Sequence, residues 1–267
     1  VTSERRVLVH PDRPSLAGTV AARVITKLID VIEQEGDATV LLTGGTMAMA
    51  VLDAIRRSPA RDSVDWSTVS FWWTDERWVP SDSPERNERQ AREALLDHIR
   101  IDEQKVHPFP ASDEAEDMDA AAEAYAAELA AATPGNAIAP RFDITFLGVG
   151  PDGHVAALFP NTPGIREKSR RVIAVENAPK PPPERLSLSL PVLNSSQRIF
   201  IVLGGPDKAS VLGLALAGAS QDEVPLAGVL GIRRTVLFVD AEAAAEVPEE
   251  LIAPQSYWTS ADSPDAH

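Results

Sequence analysis

FDITFLGVGPDGHVAALFP, residues 142–160, is the stretch whose reading decides the fold. Residues 144–149 are apolar apart from Thr145 and do not alternate, which is the pattern of a strand covered on both faces, as in parallel α/β sheets. Gly148, Gly150 and Gly153 follow, and let the backbone turn tightly and approach a ligand. The turn delivers Asp152 and His154 beyond the carboxyl end of the strand, where open α/β sheets bind ligands. A general base and a carboxylate able to orient it are thereby offered to a small substrate.

The same residues satisfy the dinucleotide-binding spacing Gly148-x-Gly150-x-x-Gly153, with Glu176 at roughly the 20-residue distance of a ribose-binding acid. Two physical points argue against that reading. The fingerprint needs a long helix whose N-terminus receives the pyrophosphate, but Pro160, Asn161, Pro163 and Gly164 break any helix within about two turns. Asp152 also sets a carboxylate where the diphosphate would lie, a like-charge clash in a desolvated site. No dinucleotide, other cofactor or metal is expected.

Outward from this strand, strand-like and helix-like segments alternate. Strands are expected at 6–10, 38–43, 69–73, 171–176, 185–190, 198–203 and 235–239. Helices are expected at 16–35, where Val20, Val24, Leu28 and Val31 keep helical spacing, and at 46–57, 118–132 and 206–217. A polar-faced helix at 84–99 takes Ser83 as its N-cap. The order predicts an α/β fold with a mainly parallel sheet covered by helices on both faces. APKPPPE, residues 178–184, reads as a proline-rich loop and not a linker, because the pattern resumes beyond it. One domain over residues 1–258 and a polar, flexible tail at 259–267 are expected.

Composition narrows the function. At 267 residues the chain can bury a full core, and 44% hydrophobic with 24% charged residues is ordinary for a water-soluble globular protein. No apolar run approaches the roughly 20 residues of a membrane span, and no signal-peptide pattern is visible, so a cytoplasmic protein with no membrane partner is expected. The absence of cysteine removes disulfides, thiolate metal sites and cysteine nucleophiles. A net charge of −15 and a pI near 4.7 argue against nucleic acid as a partner. An anionic substrate then needs a locally basic pocket. Oligomeric state is open, a monomer being compatible with the sequence.

Three further segments carry candidate chemistry. LLTGGT, 41–46, places Gly44, Gly45 and Thr46 between a buried strand and a helix; the backbone N–H groups there bind phosphate or carboxylate, or the glycines serve packing alone. No Gly-Lys-Ser/Thr follows, so this is not a nucleotide P-loop. FWWTDERWVP, 71–80, holds Asp75, Glu76 and Arg77 among tryptophans, as a structural ion pair or as a shaped pocket in which Arg77 donates to an anion or oxyanion. Lys208 opens a helix after the strand IFIVLGG, and Arg185 follows the proline loop; each is a phosphate-binding cation or an ordinary surface one.

Of the five histidines, His98 falls in an expected helix, His10 and His107 each precede a proline, and His267 is terminal. Only His154 sits in a glycine turn near a carboxylate, as a general base or as a helix-start residue packed on the sheet. No two histidines stand at the i, i+4 spacing of a helical zinc site. There is no Gly-x-Ser-x-Gly elbow, so attack by a histidine-activated water is the simplest chemistry these residues allow.

LLTGGT, FWWTDERWVP, SDSPERNERQA, FLGVGPDGHVAALFP, PPPERLSLS and GGPDKA stand in the order seen in 6-phosphogluconolactonases, which the chain resembles over nearly its whole length. The resemblance implies the fold shared with glucosamine-6-phosphate deaminase and ribose-5-phosphate isomerase. It implies hydrolysis of 6-phospho-D-glucono-1,5-lactone to 6-phospho-D-gluconate in the oxidative pentose phosphate pathway, without a cofactor. His154 is then the general base, with Asp152 beside it and Arg77 as a further catalytic group. Gly44, Gly45, Thr46, Asp75, Arg185 and Lys208 are then substrate contacts.

Two competing readings share the fold. Deaminases continue the Asp-Gly-His turn toward Phe-Asn-Glu-Pro and carry Asp-Glu-Tyr, where this chain has AALFP and Asp75-Glu76-Arg77. Sugar-phosphate-sensing domains of transcription regulators carry a helix-turn-helix ahead of the domain, whereas here the sheet pattern begins at Arg6. Both departures favour the lactonase.

Overall fold

A computed structural model describes residues 4–252; the expected tail at 259–267 lies outside the described residues. In chain order the first elements are β1 (Glu4–His10), α1 (Arg13–Glu35), β2 (Ala38–Leu42), α2 (Thr46–Arg57), β3 (Val69–Trp73), β4 (Asp75–Arg77), α3 (Asn87–Ala94), β5 (Val106–His107), α4 (Met118–Ala131) and β6 (Ile144–Gly148). They are followed by α5 (Pro163–Arg166), β7 (Val172–Val175), β8 (Arg185–Leu188), α6 (Leu190–Asn194), β9 (Arg198–Leu203), α7 (Ala209–Leu216), β10 (Arg234–Asp240), α8 (Ala241–Ala244) and α9 (Glu249–Ile252).

Helix α1 shows how local chemistry sets the boundaries. Asp12 caps it by accepting from the Ser15 N–H at 2.7 Å, a proline occupies its first turn, and Gly36 ends it in the left-handed conformation (φ 87°). Its buried face is Leu16, Val20, Val24, Leu28 and Val31, the stripe that the spacing predicts.

Seven strands form one sheet in the order β1-β10-β9-β6-β2-β3-β5, every pair parallel. Strand β6 lies at its centre, with Thr145 opposite Leu41 of β2 and Ile199 of β9. Inside it the Thr145 hydroxyl is satisfied by Ser196 at 2.7 Å, which is why one polar residue is tolerated in a buried run. Chain order reverses between β2 and β6: β3 and β5 are added on one side, β9 and β10 on the other. Such a switch point opens a crevice at the carboxyl ends of the two strands. Here the Gly44 carbonyl oxygen would lie 3.5 Å from a Cβ placed on Gly148.

The segments expected as strands at 171–176 and 185–190 do not join this sheet. As β7 and β8 they pair antiparallel with each other, and β8 pairs antiparallel with β4, giving a separate sheet ordered β4-β8-β7. The connection is the reason: a parallel return needs a crossover of a dozen residues or more, and the proline loop is closed earlier by the Ala178 N–H donating to the Pro183 carbonyl at 2.9 Å. Strands β4 and β5 are too short to show a period in sequence. The long helix expected at 84–99 is only α3 with a 3₁₀ turn at Leu96–His98. Ser83 does not cap it; the buried Glu76 carboxylate accepts from the N–H groups of Asn87 (2.6 Å) and Glu88 (2.9 Å). The helix expected at 206–217 begins as a 3₁₀ turn, Pro206–Lys208, and becomes α7. Among the described residues no helix is long and apolar enough to cross a membrane.

Candidate active site

Because the seven strands run parallel, the turns after β2, β3, β6 and β9 all emerge at one edge of the sheet. They enclose a cleft of about 480 Å³ lined by Gly44, Gly45, Thr46, Asp75, Arg77, His154, Arg185 and Lys208. Every site residue expected from sequence is among these except Asp152, which stands behind His154. His10, His98 and His107 are not in the lining; His107 instead stacks on Trp72 and bonds Glu128.

His154 and Asp152 are in direct contact, Nδ1 to Oδ1 at 2.5 Å. The turn that joins them is tight: the Gly150 N–H donates to the His154 carbonyl at 3.0 Å, and Gly153 has φ 83°. A Cβ on Gly150 would lie 2.1 Å from the imidazole and 2.4 Å from Asp152 Oδ1, so only glycine admits the pair. Burial by itself raises the Asp152 carboxyl; the bond and charge of His154, and the Lys180 ammonium farther off, outweigh it and hold the pKa down to about 2. An ionised Asp152 only accepts, so His154 Nδ1 carries the shared hydrogen and a neutral ring keeps its Nε2 lone pair free. His154 does not start a helix. The chain after it forms a narrow bridge, Val155 to Leu158, and the ring packs on Phe159 at 4.5 Å between centroids.

One wall of the cleft suits a phosphate. Helix α2 starts at Thr46, after Gly45 in a conformation with φ 98°, and its N-terminus has no side-chain cap. Its first N–H groups are left for an anion. Met47 of this turn packs against the turn after β9: a Cβ on Gly204 would lie 3.0 Å from Met47 Sδ and 3.3 Å from Arg13 Cγ. Lys208 belongs to that turn and pairs with Asp207 at 2.7 Å. The buried Asp240 carboxylate fixes the turn by accepting from the Gly205 N–H at 2.9 Å, and it holds Arg13 Nε at 3.4 Å. Arg13 lines the cleft and escapes sequence reading. Its signal is positional: it follows a parallel strand by three residues, at the same edge as the glycine turns.

Strand β4 forms the opposite side. Asp75 is buried and accepts from the hydroxyls of Thr74 (3.0 Å) and Thr43 (3.4 Å). Glu76 faces away from the cleft into the core. Burial raises its pKa to about 7, against the pull of Arg86 and of the backbone N–H groups of Glu88, Asn87 and Arg77. Asn87, also missed in sequence, donates from Nδ2 to the Asp75 carbonyl at 2.8 Å. It packs so closely on Gly44 that a Cβ there would stand 1.9 Å from its Oδ1. The carboxylate of Glu76 therefore anchors the start of α3, and α3 in turn braces the glycine turn. Arg77 reaches the cleft with one guanidinium N–H donating to the Glu85 carbonyl at 2.5 Å.

Arg185 reaches the cleft but is only 6% exposed, and its Nε and Nη2 donors are engaged. Nε donates to the Pro182 carbonyl at 3.1 Å, and Nη2 to those of Lys180 (3.3 Å) and Pro181 (3.2 Å). Lys180 itself lines the cleft. In all, Arg13, Arg77, Lys180, Arg185 and Lys208 face two carboxylates, Asp75 and Asp207, so the pocket is basic in a chain of net charge −15. That local reversal of sign is what an anionic substrate requires. Among the described residues no group of three or more histidine, aspartate or glutamate side chains is placed to hold a metal ion.

Residues 11–238 match the sequence profile of the family described as glucosamine-6-phosphate isomerases/6-phosphogluconolactonase. The 6-phosphogluconolactonase of Streptomyces coelicolor is 46% identical over 255 residues, which are 94% of this chain and 98% of that one. The solved structure of 6-phosphogluconolactonase from Trypanosoma brucei aligns with a TM-score of 0.80 at 25% identity, over 92% of this chain and 100% of that one. A monomeric glucosamine-6-phosphate deaminase aligns with a TM-score of 0.73 at 23% identity, over 90% and 99% of the two chains, a likeness of fold.

Proposed function

The chain belongs to the family of glucosamine-6-phosphate isomerases and 6-phosphogluconolactonases, and we propose that within it the chain hydrolyses 6-phospho-D-glucono-1,5-lactone to 6-phospho-D-gluconate. The observation that carries this choice is the Asp152–His154 pair followed by Ala156, Ala157, Leu158 and Phe159, all buried and none acidic. A water-activating base is present, and the turn supplies no glutamate to a second proton transfer.

In this reading His154 Nε2 takes a proton from water as the water oxygen bonds to the lactone carbonyl carbon. The carbonyl π electrons move onto oxygen, giving a tetrahedral oxyanion beside the cationic side chains of the cleft. As the carbonyl re-forms, the bond to the ring oxygen breaks, and the imidazolium returns its proton to that oxygen as a hydroxyl. The new carboxylic acid then ionises to solvent. Asp152 holds the ring and stabilises the imidazolium between the two transfers. The phosphate sits on the start of α2 with Lys208 and Arg13, far from the reacting carbon, and its binding orients the ester. The cytoplasm is the compartment that fits this substrate.

Protein treated with EDTA and assayed near or below neutral pH, where spontaneous opening is slow, should accelerate lactone hydrolysis and release no ammonia from glucosamine-6-phosphate. Ammonia release without lactone acceleration would assign the chain to the deaminases. Binding of a sugar phosphate with neither reaction would make it a sensor.

Lys208→Ala should chiefly raise KM for the phosphorylated lactone, by about 1.5–3 kcal/mol for a lost charge-assisted bond. Activity on unphosphorylated glucono-δ-lactone should barely change. Equal losses on both substrates would remove Lys208 from phosphate binding.

A further inference from the structure

The proline loop at 178–183 is built as a rigid bracket. Its ends are joined by the bond from the Ala178 N–H to the Pro183 carbonyl at 2.9 Å. Ala178 packs into a small apolar cluster with Ala157 and Phe159. Arg185 donates to three successive carbonyls of the loop, those of Lys180, Pro181 and Pro182. Its guanidinium carbon also lies 5.9 Å from the centroid of the Phe159 ring. The imidazole of His154 packs against that same ring, 4.5 Å from its centroid. Phe159 is thus a common platform for the water-activating histidine, the base of the loop and the arginine that spans the loop.

Nε and Nη2 of this buried arginine are committed to the loop carbonyls, which fixes the side chain as a brace of the loop. Lys180 is in the opposite situation. It lines the cleft, and among the described residues no carboxylate forms an ion pair with its ammonium. The loop that carries it packs through Ala178 on Phe159, the same ring that supports His154, which puts the loop at the histidine's end of the cleft.

We propose that the Lys180 ammonium meets the oxyanion that forms on the lactone carbonyl, and that Arg185 is a positioning residue which holds the loop carrying it. A lysine suits this place: a point charge on a flexible stem can follow the oxygen as it moves from the carbonyl to the tetrahedral geometry. This inference rests on the lactonase reading above and adds to it a catalytic group and the residue that aims it.

The test is steady-state kinetics of Lys180→Met, Lys180→Arg, Arg185→Gln and the double variant Lys180→Met/Arg185→Gln, on phosphorylated and unphosphorylated lactone. Lys180→Met should lower kcat by about 10- to 100-fold on both substrates, somewhat less than the usual loss of a preorganised oxyanion donor because its stem is flexible. Its KM should stay within about threefold, and Lys180→Arg should restore part of the rate. Arg185→Gln should lower kcat in the same way, and the double variant should be no slower than Lys180→Met, since both changes remove one interaction. A rise confined to KM for the phosphorylated lactone would make Lys180 a phosphate ligand and overturn the proposal; so would unchanged kinetics. Should Arg185→Gln fail to fold, as its melting curve would reveal, the two Lys180 variants decide alone. Wild-type protein inactive on both lactones would overturn the functional reading itself, whereas active wild type with an unaffected Lys180→Met sinks only this inference.

Discussion

Replacing His154 with alanine should lower kcat by about 10²- to 10⁴-fold, the usual worth of a general base, while the protein stays folded. The size follows from what is lost. Water at neutral pH is a weak nucleophile, and among the described residues His154 is the one imidazole lining the cleft, its Nε2 left free by the Asp152 bond. Folding should survive because the imidazole is held by one side-chain hydrogen bond and one ring contact, to Asp152 and Phe159, and neither belongs to the central sheet. The residual rate should come from the cationic cleft, which still binds and polarises the ester. KM should move little, since the ring contributes to the transition state more than to ground-state binding. Rates measured beside the uncatalysed reaction, with a melting curve to establish folding, decide the matter. Turnover within a few-fold of wild type in a folded variant would take His154 out of the mechanism.

Asp152→Asn should cost about 10²- to 10⁴-fold in kcat, through two losses that share one cause. The carboxylate only accepts, so it forces the hydrogen onto Nδ1; an amide can present either end, and its NH₂ end selects the tautomer whose Nε2 is already protonated. The asparagine also lacks the negative charge that stabilises the imidazolium between the two proton transfers. With the Asp152 pKa held near 2, the carboxylate is ionised from about pH 4 upward, and its contribution is lost only as pH falls through 2. Any loss of wild-type activity between pH 7 and pH 5 therefore does not come from Asp152. The pH–rate profile and the imidazole nitrogen shifts of the variant test this. A variant with wild-type kcat and an unchanged Nδ1–H tautomer would reduce Asp152 to a packing residue.

Much of the site is legible along the chain because the fold is parallel. When strands run the same way, every βα turn comes out at one edge, so a glycine turn found after one buried strand predicts the neighbourhood of the others. That is how Gly44 and Gly45 after β2, Asp75 and Arg77 after β3, His154 after β6 and Lys208 after β9 could be named from local patterns and then stand around one cleft. The same logic reaches Arg13 after β1, although nothing in its own neighbourhood marks it.

The residues 142–160 determine by themselves that the core is a parallel sheet and that a carboxylate and a histidine leave its edge together. Their contact at 2.5 Å is not given by the spacing, since residues two apart need not touch; it is made by the closed turn in which the Gly150 N–H bonds the His154 carbonyl. Only the tertiary structure decides which strands stay out of that sheet, since β7 and β8 carry the same apolar runs as their parallel counterparts and are turned antiparallel by a loop too short to cross over. Only the tertiary structure shows that Glu76 anchors α3, that Asp240 fixes the turn of Lys208, and that Arg185 grips the loop of Lys180 instead of standing free in the cleft. Periodicity and turn chemistry are properties of a few neighbouring residues and can be read in order. Which charge meets which carbonyl is set by packing between segments distant in sequence, and a buried polar group takes whatever partner the fold brings within reach.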